Sequence, residues 1–271
     1  RKHKVFMKLI LGLGVTGLSV ARFFIRNNIS FRIADSRQDP PMLQISKNEN
    51  LLHDFYFGDW SESLLEDISE VIISPGIAES ESIVRWIRAK NISIISDIEL
   101  FGRYVKAPMI GITGSNGKST VTQLLGEMAL ASSLKAYICG NIGNPVMECI
   151  SDDAELYIVE LSSYQLDYTN KLDLFAGVIT NISPDHLDRY SSYSNYISSK
   201  LSIYDYSMFN IINLNEPEVN GISGDNFFSI EKNESKCDFF ASKKDNLYEV
   251  FHQGKVLMTS DDLLVVGKHN I

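Results

Sequence analysis

Cysteine is scarce in this sequence, with only Cys139, Cys149 and Cys237 among 271 residues. An odd number without metal-ligand spacing argues against a disulfide framework and is typical of a reduced, cytoplasmic protein. Long apolar runs are also missing, so the sequence predicts no membrane-spanning helix and no membrane insertion. Internal repeats and low-complexity tracts are absent too, which points to ordinary globular domains.

Positive charge is in deficit, because 25 lysines and arginines face 34 aspartates and glutamates, for a net charge of −9. That balance argues against general nucleic-acid binding and against attachment to anionic membranes. A polyanionic ligand must therefore be held by local cations, Mg²⁺ and backbone N–H groups. At 44% hydrophobic and 22% charged residues, the chain has the composition of a globular protein of about two domains.

The first twenty residues resemble a secretion signal. Residues 1–4 are basic, residues 9–20 are fairly apolar and residues 19–21 could pass for a cleavage site. Glycines at positions 12, 14 and 17 instead have the spacing of a phosphate-binding turn, and cleavage would remove the first predicted strand. We therefore interpret this segment as part of the fold.

Apolar strands alternate with amphipathic helices along the chain, which predicts an α/β protein with parallel sheets. We divide it into a Rossmann-like domain at 1–95 and a second α/β domain, of the phosphate-loop ATPase type, at 96–271. Residues 214–262 are weakly patterned and are expected to form an irregular, β-rich segment. The predicted strands are 5–11, 31–34, 71–73, 92–95, 157–159, 177–180 and 210–213, and the predicted helices are 17–27, 82–90, 121–130 and 196–204.

Residues 111–120, GITGSNGKST, are the most informative stretch. They lie between a predicted strand and a predicted helix, where Gly111, Gly114 and Gly117 can form a nest of backbone N–H groups for phosphate. Lys118 would reach the terminal phosphates, and a hydroxyl of Ser119 or Thr120 would hold Mg²⁺. The standard pattern requires glycine at position 112, so this is a variant loop. A flexible connector would explain neither the lysine nor the helix.

A second glycine turn, Gly12 to Gly17, follows the first strand and opens a helix, and Asp35 ends the next strand. This is the dinucleotide fingerprint, with the helix N-terminus for a pyrophosphate and the acid for a ribose. It supports a nucleotide diphosphate, not nicotinamide in particular, and an empty Rossmann-like scaffold is the alternative. Arg37 either recognises a base or phosphate or is an ordinary loop cation.

Polar residues follow two further strands. Glu160 ends a strand, where an acid directed at Mg²⁺ usually lies beside a phosphate loop. Asp185 and His186 follow another strand, and their position favours a metal or phosphate role over a surface role. Lys200 lies in a helical stretch, and on sequence alone we interpret it as a solvated helix lysine.

Taken together, these motifs resemble the Mur ligases, and among them those that add D-glutamate. They follow the family's order over nearly the whole chain, and the variant phosphate loop is the family's own form. The matching segments are 12–19, 74–76, 97–101, 111–120, 140–143, 160–166, 185–190, 200–201 and 267–270.

The resemblance implies a role for individual residues. Lys118, Glu160, His186 and Lys200 would be catalytic, and Lys200 aligns with a lysine that the family carbamylates. ATP would be bound by Gly114, Ser115, Asn116, Gly117, Lys118, Ser119, Thr120 and Asn270. Two Mg²⁺ ions would be held by Ser119, Glu160, His186 and the Lys200 carbamate. The UDP-linked substrate would be contacted by Val15, Thr16, Asp35, Ser36, Arg37, Asn141, Ser162 and His186.

The resemblance also implies a reaction: ATP phosphorylates the carboxylate of UDP-N-acetylmuramoyl-L-alanine, and the amine of D-glutamate attacks the acyl phosphate. We expect a cytoplasmic monomer. The matching enzymes continue beyond residue 271 into a D-glutamate-binding domain, so this chain alone is expected to be inactive. The alternatives are an NAD-dependent dehydrogenase, a ligase like folylpolyglutamate synthase, and a non-catalytic nucleotide-binding protein.

Overall fold

A computed structural model describes residues 6–185, 189–230, 236–245 and 247–262. The chain forms two compact units. Unit 1 extends to Lys106 and also includes Ile142–Asp152 and Tyr164–Leu172, whereas unit 2 contains Ala107–Asn141, Asp153–Ser163 and the chain from Asp173 onward. The sequence-based division assigned both returning segments to the second domain. They belong to unit 1 because their apolar residues pack there; Tyr168, for example, is buried in the core with Leu9 and Val71.

Unit 1 is built on a five-stranded parallel sheet with the order β3-β2-β1-β4-β5. The central strand β1 reads MKLIL, and its last three residues are buried because helices cover both faces of a parallel sheet. The strands are β1 (Met7–Leu11), β2 (Phe31–Asp35), β3 (Phe55–Phe57), β4 (Ile68–Ile73) and β5 (Ser93–Ile95). The helices are α1 (Val15–Arg26), α2 (Leu43–Asn48), α3 (Ser82–Ala89) and α4 (Asp97–Gly102).

Unit 2 contains a nine-stranded sheet with the order β14-β13-β12-β11-β10-β9-β6-β8-β7. Strands β6 to β12 run parallel, and β13 and β14 add antiparallel pairs at one edge. The strands are β6 (Met109–Thr113), β7 (Ala136–Gly140), β8 (Leu156–Glu160), β9 (Leu174–Ile179), β10 (Ser207–Asn213), β11 (Asn226–Ile230), β12 (Phe239–Lys244), β13 (Leu247–His252) and β14 (Lys255–Thr259). The helices are α5 (Lys118–Ala131), α6 (Ser163–Asp167), which begins here and continues into unit 1, and α7 (Tyr193–Leu201).

Residues 214–262 are β-rich as expected, and the described part of this segment forms strands that are more regular than expected. Strands β11 and β12 extend the parallel sheet in regular register, and β13 and β14 form antiparallel ladders beside them. Their burial is intermediate along most positions, which explains why no strong apolar alternation marks them in the sequence.

Parallel strands place their carboxyl ends along one edge of the sheet. In unit 2 this edge carries the residues that end β6, β8, β9 and β10, namely Thr113, Glu160, Ile179 and Asn213. Ligands of open α/β sheets bind outside the carboxyl ends of the strands. The edge therefore defines where a site in unit 2 should be sought.

Candidate functional site

The phosphate loop leaves the edge at Thr113 and enters α5 at Lys118. Gly114 and Gly117 have φ angles of +153° and +76°, which favour glycine. A Cβ at Gly114 would collide with the Thr180 hydroxyl, whereas the space beside Gly117 is open. No side chain caps α5 at Gly117. The first N–H groups of a helix lack intrahelical partners, so the start of α5 can face an anion, as the sequence predicts. Gly111, which was expected to belong to the nest of N–H groups, instead lies buried within β6.

The Lys118 side chain folds back over this loop. Its Nζ donates hydrogen bonds to the carbonyls of Gly114 (2.8 Å) and Ser115 (3.0 Å). Burial lowers the pKa of Lys118 below its ordinary value, while the carboxylates of Glu160 and Asp185 oppose that effect. The ammonium thus lies at the loop with two carboxylates near enough to influence it.

Glu160 is the best-buried acid at the edge, at 1% exposure. Its Oε2 accepts a hydrogen bond from the Ser119 hydroxyl and its Oε1 accepts one from the Asn141 side-chain amide, each at 2.8 Å. Its backbone carbonyl also accepts from the Asn141 N–H. These donors stabilise a buried carboxylate, which would otherwise be costly. Ser119, Asn141 and Glu160 therefore form one connected group.

Lys200 is buried at 2% exposure, so the interpretation as a solvated helix lysine is wrong. Its Nζ donates to the Gly114 carbonyl at 2.8 Å and lies 4.7 Å from the centre of the Tyr196 ring. The Tyr196 hydroxyl in turn shares a hydrogen bond of 2.8 Å with the Ser115 hydroxyl. α7 therefore reaches the phosphate loop at two points. An isolated helix lysine carries no sequence signal of such burial.

Unit 1 contains the second glycine turn, between β1 and α1. A Cβ at Gly17 would collide with the Gly12 carbonyl, so helix and turn approach as closely as the fingerprint requires. α1 has no side-chain cap and no acid in its first turn, features that leave its N-terminus suited to an anion. Val15, in that first turn, is exposed.

Asp35 stabilises this turn through hydrogen bonds. Its Oδ2 accepts from the Leu13 N–H (2.7 Å), and both carboxylate oxygens accept from the Arg37 guanidinium. Burial acts to raise the pKa of Asp35, but hydrogen bonds from Arg37 and from the Leu13 amide hold it below its ordinary value. The Arg37 side chain is half exposed. Asp35 thus orients both the turn and a cation beside it.

Comparison with known proteins identifies both parts of the chain. Residues 7–96 match the N-terminal domain of MurD-like Mur ligases, and residues 112–271 match the Mur ligase middle domain. The chain belongs to the Mur ligase family. This family uses ATP and Mg²⁺, in keeping with a phosphate loop beside a buried acid.

The chain is similar to proteins named UDP-N-acetylmuramoylalanine–D-glutamate ligase. The protein from Coxiella burnetii (strain Dugway 5J108-111) is 38% identical over 98% of this chain. The protein from Aliivibrio fischeri (strain MJ11) is 37% identical over 97% of this chain, and that from Nitrosococcus oceani is 45% identical over 72% of it. The chain covers 60%, 59% and 44% of their respective lengths. It therefore spans between 44% and 60% of the length of these three relatives.

Solved Mur ligases share the fold at low sequence identity. The UDP-N-acetylmuramate:L-alanyl-gamma-D-glutamyl-meso-diaminopimelate ligase of Neisseria meningitides superimposes with a TM-score of 0.63 at 14% identity, over 98% of this chain and 90% of that one. The murein peptide ligase of Psychrobacter arcticus gives a TM-score of 0.56 at 13% identity, over 98% of this chain and 62% of that one. These matches support the two-part α/β architecture.

The structure brings together many of the residues that the Mur resemblance singled out. Lys118, Ser119, Glu160, Asn141 and Lys200 converge at or beside the phosphate loop. Thr120 lies exposed in the first turn of α5, and Ser162 directly follows Leu161 beyond the end of β8. In unit 1, Val15, Thr16, Asp35, Ser36 and Arg37 lie at the turn and at the end of β2. His186 and Asn270 fall outside the described residues.

Sequence reasoning missed the groups that hold the phosphate loop from neighbouring segments. Tyr196, Thr180 and Asn181 all donate to or accept from loop residues. The sequence marks Thr180 only as the end of a predicted strand and Tyr196 only as the start of a predicted helix. Asn181 is marked only by following that strand. Because β9 lies beside β6 in the sheet, the residues just beyond β9 come close to the phosphate loop.

The residues present fit ATP and Mg²⁺. The glycine loop is open beside Gly117, where phosphate oxygens could approach backbone N–H groups. A serine hydroxyl and a carboxylate, 2.8 Å apart, are the hard oxygen ligands that Mg²⁺ prefers. Within the described residues, no group of three or more histidine, cysteine or acidic side chains could hold a metal. Mg²⁺ held by Ser119 and Glu160 would therefore rely on phosphate oxygens and water for its other ligands.

No helix in the described part of the chain is long and apolar enough to cross a membrane.

Proposed function

We propose that this chain is the substrate- and ATP-binding part of a ligase that joins D-glutamate to UDP-N-acetylmuramoyl-L-alanine. The observation that carries the proposal is the group formed by the phosphate loop, Ser119 and Glu160 in a chain up to 45% identical to ligases of that name. Because the chain spans only part of those relatives, the complete reaction is assigned to a longer ligase that contains this stretch.

The two units would divide the ligands between them. In unit 1, the N-terminus of α1 would receive the diphosphate of the UDP moiety, and Arg37, held by Asp35, would add a cation. In unit 2, residues 114–120 would bind the ATP phosphates. Asn141 and Ser162 would contact the muramoyl-alanine part, and His186 and Asn270 keep the roles in substrate, metal and adenine binding that the resemblance implies.

The chemical need for ATP comes from the substrate carboxylate, which is a poor electrophile. Transfer of the terminal phosphoryl group breaks its bond to ADP and forms a bond to a carboxylate oxygen. The D-glutamate nitrogen then bonds to the carbonyl carbon, phosphate leaves, and the nitrogen releases a proton. Mg²⁺, when bound, neutralises charge on the phosphate oxygens.

The chain's own groups would position the reactants and neutralise charge. Backbone N–H groups of the loop and the Lys118 ammonium would face the phosphates, giving stabilisation in place before the reaction begins. To do so, Nζ of Lys118 would give up its hydrogen bonds to the Gly114 and Ser115 carbonyls and donate to phosphate oxygens instead. Ser119 and Glu160 would hold Mg²⁺, and Asn141 would orient the Glu160 carboxylate through Oε1.

We further infer that Lys200 is carbamylated. A buried ammonium is costly, and at 2% exposure Lys200 has little water to offset that cost. The neutral amine would bond to the carbon of CO₂ and lose a proton, which replaces a cation by an anion and keeps one N–H for the Gly114 carbonyl. The carbamate oxygens would then serve as ligands for Mg²⁺.

Calorimetry on this chain tests the binding part of the proposal. We expect UDP-N-acetylmuramoyl-L-alanine to bind the wild type, to bind more weakly to Arg37→Ala, and to bind normally to Arg85→Ala, a charge-matched control in α3 of the same unit. ATP with Mg²⁺ should bind both variants like the wild type. Tighter binding of NAD or folate than of UDP-N-acetylmuramoyl-L-alanine and ATP would overturn the assignment. Amide formation is measured separately, on the longer ligase.

A further inference from the structure

Asn181, which follows β9, makes three hydrogen bonds to the phosphate loop. The side-chain Oδ1 of Asn181 accepts from the Asn116 N–H (2.9 Å), and its Nδ2 donates to the Asn116 carbonyl (2.8 Å). The backbone carbonyl of Asn181 accepts from the Ser115 N–H (2.9 Å). The Thr180 hydroxyl adds a second donor to the Asn116 carbonyl at 2.8 Å. The shape of the loop therefore depends on where the backbone of residues 180–182 lies.

That backbone is itself fixed on both sides of Asn181 by residues at and just beyond the end of β10. The Asn213 side-chain amide donates to the Thr180 carbonyl at 2.7 Å. Oε2 of Glu216 accepts from the Ile182 N–H at 2.8 Å. Asn213 is buried and its Oδ1 accepts from the Asn215 N–H, while the Glu216 N–H donates to the Asn213 carbonyl. The two side chains thus belong to one short, internally bonded turn.

We propose that Asn213 and Glu216 are positioning residues for the phosphate loop, acting through Asn181 on Asn116 and Ser115. The proposal rests on the proposed function, because the loop is taken to bind nucleotide phosphates. Neither residue is among those assigned to a ligand. Their hydrogen bonds connect the end of β10 with a loop on β6, two strands away in the sheet.

The direction of the change in nucleotide affinity distinguishes a positioning role of Glu216 from a purely electrostatic one. A carboxylate near a phosphate site repels the ligand, so loss of the Glu216 charge alone would strengthen nucleotide binding. Loss of the hydrogen bond that holds Ile182 would instead loosen Asn181 and weaken binding. Because a hydrogen bond to a charged group is a strong one, its loss should weaken nucleotide binding about tenfold or more.

The test uses the 271-residue chain with Glu216→Ala, Asn181→Ala and the double variant. Glu218→Ala is the matched control, since it removes the same charge two residues away without a described contact to residues 180–182. Amide hydrogen exchange at Ser115 and Asn116 is measured without ligand, and the affinity for the ATP analogue AMPPNP with Mg²⁺ is measured by calorimetry. Unfolding midpoints verify that each variant is folded.

We expect Glu216→Ala to lower protection at Ser115 and Asn116 about tenfold and to weaken AMPPNP binding by a similar factor, with Glu216→Gln recovering most of both. In the Asn181→Ala background, Glu216→Ala should add little at Asn116, whose bonds to Asn181 run through the Asn181 side chain, because coupled residues give non-additive effects. Unchanged protection in Glu216→Ala, equal loss in Glu218→Ala, or full additivity at Asn116 would overturn the proposal.

Two further outcomes are also decisive. If the wild type fails to bind AMPPNP, the proposed function fails, and the exchange of Ser115 and Asn116 still decides whether Glu216 positions the loop. If Glu216→Ala does not fold, Asn213→Ala is tested instead. It should also lose protection at Ser115 and Asn116, and unchanged protection in this variant would overturn the proposal.

Discussion

The hydroxyl of Ser119 donates a 2.8 Å hydrogen bond to Oε2 of Glu160. This contact joins the first turn of α5 to the end of β8, and Asn141 occupies the other oxygen of the same carboxylate. A hydroxyl that donates to a carboxylate keeps its lone pairs available for a cation, as a serine ligand of Mg²⁺ requires. The pair therefore offers the oxygen ligands that the proposed Mg²⁺ site requires.

Glu160→Gln should remove the Mg²⁺-dependent part of nucleotide binding. The amide keeps the shape of the side chain but not its negative charge, so we expect the gain in affinity from Mg²⁺ to fall at least about tenfold. Calorimetry with AMPPNP, with and without Mg²⁺, measures this directly. Glu155→Gln, the same change on an exposed residue just before β8, should behave like wild type. An unchanged Mg²⁺ dependence in Glu160→Gln would remove Glu160 from the metal site.

Lys118→Ala should lower the ligation rate of the longer ligase about a hundred- to a thousandfold, the usual effect of losing one preorganised group that stabilises the transition state. Binding of UDP-N-acetylmuramoyl-L-alanine to unit 1 should be unaffected. ADP release measures the rate. Lys135→Ala, an exposed lysine beyond α5, serves as the control. Turnover near the wild-type rate in Lys118→Ala would show that the lysine has no role at the phosphates.

The sequence allowed the phosphate loop and both sheets to be predicted because their signals are local. A glycine pattern such as that of residues 111–120 needs only a strand before it and a helix after it, and both are present. In the same way, the apolar run of β1 and the glycine turn after it indicated the Rossmann-like unit.

What could not be predicted depends on contacts between distant segments. The burial of Lys200 follows from the position of α7 against the loop at Gly114, 86 residues earlier. The return of residues 164–172 to unit 1 depends on the packing of Tyr168 with strands near the N-terminus. Neither leaves a periodic pattern in the sequence.

Lys200→Ala tests the carbamate. If a carbamate supplies oxygen ligands for Mg²⁺, the variant of the longer ligase should lose activity and regain part of it when a short carboxylic acid such as formate is added. The rate with and without the acid is the measurement, and Lys243→Ala, an exposed lysine of β12, should respond to neither change. Near-normal activity of Lys200→Ala, or loss without any recovery, would count against the carbamate.

Asp97, the first residue of α4, should make unit 1 less stable as the pH rises. It is buried, its Oδ1 accepts from the Gln165 side-chain amide at 3.1 Å, and burial raises its pKa from 3.8 to about 6, although that hydrogen bond opposes the shift. Since the folded state binds the proton more tightly, the stability that the group contributes is complete below pH 3.8 and is lost as the pH rises through about 6.

Asp97→Asn removes this dependence, because a carboxamide of the same shape stays neutral and can still accept from Gln165. Two pKa units correspond to about 3 kcal/mol, so the variant should exceed the wild type in free energy of unfolding by up to about that amount at pH 7.5. The difference should shrink towards zero by pH 4. Urea unfolding across this pH range measures it, with Asp59→Asn as an exposed control in the same unit. A difference that does not change with pH would mean that Asp97 is charged in the folded state throughout, and that its hydrogen bonds, not its burial, dominate.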